Sequence, residues 1–174
     1  MDFFKFYDIP ISFLLDEKAL KQKFYALSRQ YHPDFHTHET AEEQEKILEL
    51  SSLNTRAYKT LSDFDERVKY ILELKGLLKE GEKQEIPNSF LMEMMDINES
   101  VMDLKMDFDK EKYTQTLNEV RQMQTDLYHE VKSIIENYND AAATADDLQA
   151  IKDFYLKKRY ILRLEKNLST FAPL

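Results

Sequence analysis

The residues best placed to do chemistry lie in one short segment, Tyr31-His32-Pro33-Asp34-Phe35-His36-Thr37-His38, which brings three imidazoles and a carboxylate together. Imidazole is a common ligand for zinc or nickel, so His32, His36 and His38 invite a metal reading. That reading is disfavoured: the three share one loop, the fourth histidine, His129, is far along the chain, and no cysteine completes a familiar ligand spacing. We expect neither a metal nor a cofactor. The alternative is a polar docking tip. Pro33 excludes the helical region for His32, so a helix must stop there and present short polar side chains.

The element leading into this tip is readable. Asp16 suits the N-cap of a helix over 17–31, in which Leu20, Phe24, Leu27 and Tyr31 fall within about 60° of one another. Lys18, Lys21, Tyr25 and Arg29 project about 100° to 180° away from Leu20, and the same direction leads on to His32. One face is thus apolar and the other cationic. The cationic face is either an ordinary solvated surface or one that attracts an acidic partner surface. A further helix over 40–61 carries the stripe Ile47, Leu50, Ala57 and Leu61, with Glu39, Glu42, Glu43 and Glu45 at its electropositive start. Two such helices joined by a short loop pair antiparallel. A short helix over 3–7, ended by Asp8-Ile9-Pro10, precedes them, and Ser62 with Asp65 predicts the cap of a fourth helix running to Leu74.

Both glycines, Gly76 and Gly81, fall close to Pro87 in a mostly polar stretch, which marks 76–87 as a linker. Pro173 closes the chain. The sequence therefore divides into 1–75, 76–87 and 88–174. Three long helical segments follow the linker, over 88–108, 112–138 and 145–168, with breaks at Asp109 and at Asn139-Asp140 and a cap at Thr144. Helices separated by short loops predict a three-helix bundle. In the first of them the apolar residues split into two stripes. Phe90, Met94, Ile97, Val101, Leu104 and Phe108 suit a bundle core; Leu91, Met95 and Met102, with Met92 at the edge and Asp96 and Glu99 beside them, are surplus to one. The surplus face could pack on the first domain, dimerise or hold a partner, and methionine adapts well to the last role.

Composition agrees with an all-α protein. Of 174 residues only 2 are Gly and 4 are Pro, and a 43% hydrophobic content is enough to fill two small cores. The net charge of -9 argues against nucleic acid as a partner. The apolar runs fall far short of the roughly 20 residues that span a bilayer, and the start MDFFKFYDIP is neither a secretory signal nor a transit peptide. With no cysteine either, a soluble protein of the cytoplasm is expected, or of the mitochondrial matrix had a presequence been removed. No Gly-rich phosphate loop, Ser-centred elbow or His-Glu helix motif is present, which disfavours an enzyme.

His32-Pro33-Asp34 closes a basic helix and precedes an acidic one that contains Asn54-Thr55-Arg56-Ala57-Tyr58 and then Leu61-Ser62-Asp63. In these motifs and their spacing the first part of the chain resembles a J-domain. The resemblance implies docking on the ATPase domain of a DnaK-type chaperone and acceleration of its ATP hydrolysis, through His32, Pro33, Asp34, Lys18, Lys21, Tyr25 and Arg29. It departs at Phe35, where J-domains usually carry a basic residue.

With Phe90-Leu91-Met92-Glu93 opening a C-terminal bundle, the whole chain resembles the HscB family, J-type co-chaperones of iron-sulfur cluster assembly. That resemblance implies that the bundle binds the scaffold protein IscU and delivers it to the chaperone HscA. By position it implies a scaffold-binding patch of Leu91, Met92, Met95, Asp96 and Glu99. It also implies that Tyr160, in Arg159-Tyr160-Ile161, takes the place of an aromatic residue on the last helix; ordinary bundle packing is the alternative for Tyr160. A J-protein serving a different client is the competing reading of the same class.

Overall fold

The computed structural model describes residues 2–79, 81 and 84–170; Pro173 and part of the linker stretch, Glu80, Glu82 and Lys83, lie outside them. Among the described residues the chain is built of helices without strands: α1 (Phe3–Phe6), α2 (Glu17–Gln30), α3 (Ala41–Ser62), α4 (Phe64–Leu74), α5 (Asn88–Glu93), α6 (Met95–Met106), α7 (Lys110–Glu136) and α8 (Ala145–Ser169), with a 3-10 turn at Pro33–Phe35. They fall into two compact units, Met1–Leu74 with Tyr138–Ala142, and Lys75–Asn137 with Ala143–Leu174.

The first unit is organised by the pairing of α2 with α3. Asp16 caps α2 through Lys18 and Ala19, as the sequence predicts, whereas Thr40, expected as the first helical residue, stands just outside α3 and forms a reciprocal capping box with Glu43. Phe24 stacks on Tyr58 at 4.3 Å, while Asn54, one turn earlier on α3, reaches Ser28, one turn later on α2. The two contacts run in opposite senses, so the helices are antiparallel. Asn54 is the polar centre of this core. Its Nδ2 donates to the Phe24 carbonyl at 3.1 Å and to Ser28 Oγ at 2.9 Å, and its Oδ1 accepts from the Tyr7 hydroxyl at 2.7 Å. Tyr7 and Asn54 are both buried, and burial holds the Tyr7 phenol well above the usual tyrosine range.

Replacing Asn54 with Ala would remove the side-chain bonds to Tyr7, Phe24 and Ser28 and leave the Tyr7 hydroxyl only the backbone carbonyl of residue 54. We expect a loss of about 2 to 3 kcal/mol in urea unfolding followed by far-UV circular dichroism. A loss within about 0.5 kcal/mol of zero would mean that water or a neighbour takes over the bonds.

α1 ends where Asp8 adopts φ 49° ahead of Ile9-Pro10, and Lys23 Nζ from α2 donates to the Tyr7 carbonyl at 2.7 Å. On α4 the expected cap is corrected. Ser62 is still helical and its hydroxyl donates back to the Lys59 carbonyl, while Asp63 Oδ1 accepts the Glu66 amide at 2.9 Å. Asp63 has the extended backbone that capping needs and Ser62 does not. Arg67 is buried here: its guanidinium donates to the carbonyls of Phe13 and Leu61 and lies 5.7 Å from the Phe64 ring centroid. Phe13 meets Tyr138 edge-on at 4.6 Å within the same unit.

In the second unit Arg121 pairs with Glu165 and Glu130 with Lys157, so α7 and α8 run antiparallel. Their buried residues, among them Val120, Leu127, Ile135, Ile151 and Leu164, recur at helical spacing. Thr144 and Asp147 form a second capping box at the start of α8. Two expectations are corrected. The segment over 88–108 is two helices interrupted at Met94, where the Asn98 side-chain amide donates to the Met94 carbonyl at 2.7 Å alongside the Asn98 backbone amide. The ladder bond at this carbonyl is retained, and the side-chain bond adds to it. Phe108 lies beyond the end of α6, 37% exposed and set against Tyr113, and is not part of the core stripe. Gly76, just past α4, has φ 71°, a conformation that glycine adopts without penalty.

Candidate functional site

The loop after α2 is built around Pro33. His32 is extended at φ -75°, ψ 123°, as proline requires of its predecessor, and its Nδ1 accepts the Asp34 amide at 3.3 Å. That bond caps the 3-10 turn and fixes the imidazole relative to the carboxylate, whose Oδ2 is 3.9 Å away. The His32 and Asp34 side chains are 50% and 85% exposed. Pro33 and Phe35 are exposed too, and the Phe35 ring lies 5.4 Å from that of His32.

Lys18, Lys21, Tyr25 and Arg29 are all exposed on α2 and lead to this tip, as their spacing predicts. Lys21 Nζ sits 6.0 Å from the Tyr25 ring centroid. No ion pair among the described residues engages Lys18, Lys21 or Arg29. The face thus keeps its positive charge available to a partner and is not neutralised internally. Among the described residues no group of three or more His, Asp or Glu is arranged to hold a metal ion. His36 is engaged otherwise, with Glu39 and with the Gln30 carbonyl.

The surplus apolar face of α5 and α6 is also open to solvent. Leu91 is 38% and Met92 71% exposed, and Met95, Asp96, Glu99 and Met102 are exposed beside them. The core stripe behind, Phe90, Met94, Ile97, Val101 and Leu104, is buried. A thioether face flanked by carboxylates can take an apolar partner surface with basic groups at its rim. Met106 extends the face and was not singled out by the sequence; its spacing of four from Met102 was the available signal.

Tyr160 is half-buried, with its ring edge-on to Phe90 at 5.8 Å and its hydroxyl accepting from Asn98 Nδ2 at 2.8 Å. It braces α8 against the two short helices and so supports the turn that carries Leu91 and Met92. Asn98 also bonds the carbonyl at the Met94 interruption, which makes it the hinge of this arrangement and a residue that periodicity gave no reason to notice.

Comparison with known proteins adds a family to this geometry. Residues 5–70 match the family described as the DnaJ domain, and residues 86–169 match the HSCB C-terminal oligomerisation domain. The chain is similar to the co-chaperone protein HscB of Proteus mirabilis (strain HI4320), 29% identical over 171 residues that cover 97% of this chain and 98% of that protein. It is likewise similar to the co-chaperone protein HscB homolog of Vibrio cholerae serotype O1 (strain M66-2), 28% identical with 97% and 99% covered. Among solved structures, human co-chaperone protein HscB superposes with a TM-score of 0.74 at 28% identity, over 98% of this chain and 81% of that one. Chaperone HscB from Vibrio cholerae gives a TM-score of 0.70 at 22% identity, over 98% and 96%.

Proposed function

This chain belongs to the HscB family of J-domain co-chaperones, and from that premise we propose that it stimulates ATP hydrolysis by an HscA/DnaK-type chaperone and delivers to it an IscU-type scaffold protein during iron-sulfur protein maturation. The observation that carries the proposal is the exposed tip of His32 and Asp34 at the end of an α2 face whose cations have no ion-pair partner among the described residues. Lys18, Lys21 and Arg29 steer the chaperone's ATPase domain, and His32, Pro33 and Asp34 engage it with short, directional polar contacts.

On the other unit Leu91, Met92 and Met95 anchor the scaffold, while Asp96 and Glu99 orient basic groups at its rim. Tyr160 acts from behind, as a brace. Catalysis belongs to the chaperone; this chain is an adaptor without an active site of its own, and it works in the cytoplasm. No helix among the described residues is long and apolar enough to cross a membrane.

Isothermal titration of the chain with a purified IscU-type scaffold tests the assignment of the client. Saturable binding at a 1:1 ratio is expected, together with acceleration of a DnaK-type chaperone's ATPase that rises further when scaffold is added. Acceleration without scaffold binding would favour a J-protein for another client. Turnover in the absence of any chaperone would remove the adaptor reading.

A further inference from the structure

His36 belongs to neither surface. Its side chain is 20% exposed, its Nε2 stands 2.7 Å from the carbonyl oxygen of Gln30, the last residue of α2, and its Nδ1 stands 2.6 Å from Glu39 Oε1. A carbonyl and a carboxylate can only accept hydrogen bonds. A neutral imidazole has one N–H and satisfies one of them; the ring that satisfies both carries two protons and a positive charge. The site favours that charge twice over. Gln30 offers a last-turn carbonyl, at the electronegative end of α2, whose amide partner in a continuing helix would be Asp34; that amide instead donates to His32.

The other charged groups near the loop are committed elsewhere or face away. Glu43 is taken by Thr40 in the capping box, Arg29 lies on the exposed face of α2, and Asp34 turns to His32. His38 and Glu42 are exposed, which leaves Glu39 as the carboxylate acting on the ring.

The segment from Tyr31 to Phe35 is therefore closed at its base by one side chain. The His36 amide adds a bond to the Pro33 carbonyl at 3.0 Å, so the residue holds the 3-10 turn by both its backbone and its ring. We infer that His36, as an imidazolium bridging Gln30 and Glu39, is the positioning residue for the His32-Pro33-Asp34 tip, and that the tip's geometry depends on that proton. The inference rests on the co-chaperone reading and adds a control to it.

The bonds to Glu39 and to the Gln30 carbonyl raise the His36 pKa above its ordinary 6.5. A folded-state pKa above the unfolded value means that the closure is fully present below pH 6.5 and is lost as pH rises through the folded value. Stimulation of the chaperone should follow the same curve.

Two measurements on the full chain test this. In an NMR titration without chaperone, His36 should titrate above 6.5 and the amides of Asp34 and Phe35 should shift with the same midpoint. A midpoint at or below 6.5, or amides that stay still, would overturn the inference. In the second, stimulation of a purified DnaK-type chaperone is compared with that by His36→Lys, whose ammonium keeps its charge and can donate to both acceptors. The wild-type to variant ratio should fall about threefold from below pH 6.5 to about pH 8.5, and a flat ratio would argue against control by His36. Absence of stimulation by either protein at every pH would instead remove the co-chaperone reading and leave the NMR result standing.

Discussion

His32→Gln should reduce stimulation of the chaperone ATPase to background, a loss of at least about tenfold, while scaffold binding stays within about twofold of the wild type. The expectation follows from where the imidazole sits. His32 Nδ1 accepts the Asp34 amide and so starts the 3-10 turn, while the half-exposed ring remains open to the partner. Glutamine matches its polarity and approximate length but not a planar ring held in one orientation, so the capping bond and the contact with the ATPase domain are weakened together. The fold should be unaffected, because among the described residues the His32 side chain meets only the exposed Asp34 and Phe35, and substitutions at exposed sites usually change stability by under about 0.5 kcal/mol. Full stimulation by the variant would remove the tip from the mechanism. A parallel loss of scaffold binding would indicate general damage instead.

Electrostatics explains how a chain of net charge -9 can present such a tip. Lys18, Lys21 and Arg29 stand on one side of α2, separated from the acidic start of α3 by the loop, and charge segregation of this kind produces a local field that the total conceals. The Debye length at physiological salt is about 8 Å, so this field acts chiefly on the final approach, and the short contacts of His32 and Asp34 decide the docked state.

The parts of this picture legible in the sequence are those governed by local rules. Asp16 and Thr144 could be read as caps because an acceptor beside a helical stripe has one favoured role, and Pro33 dictated the backbone of His32. The cationic and thioether faces followed from spacing alone. Periodicity reports which face a residue occupies and is blind to a fault in the ladder, so it gives no sign of the interruption at Met94. It also carried Phe108 past the end of α6. The Ser62 and Asp63 pair shows the same limit at a boundary, where either residue could cap and only the backbone decides. The bonds of Tyr7 to Asn54 and of Asn98 to Tyr160 join residues remote in sequence, and no local pattern announces them. The role of His36 was illegible for a different reason. Its spacing argues against a metal but names no other partner, since the carbonyl it bonds belongs to the backbone of Gln30 and leaves no mark in the sequence.

The second large effect is expected from Leu91→Ala combined with Met92→Ala, which should weaken scaffold binding by about 2 kcal/mol or more, some thirtyfold in Kd. Met92 is 71% and Leu91 38% exposed, so truncation removes little packing within the chain, and thermal unfolding should change far less than binding. What is lost is apolar area that the scaffold would otherwise cover, at roughly 25 cal/mol for each Å². The contrast with Met94 makes the measurement interpretable. Met94 is fully buried between the same two short helices, so truncation there would act on folding first and on binding only through it. A double variant that binds normally would move the interface off this turn, whereas one that fails to fold would place Leu91 and Met92 in the core despite their exposure. Tyr160 separates the two possibilities further. Its hydroxyl holds Asn98, which in turn bonds the carbonyl at the Met94 interruption, so Tyr160→Phe disturbs the brace and leaves the anchors' own surface intact.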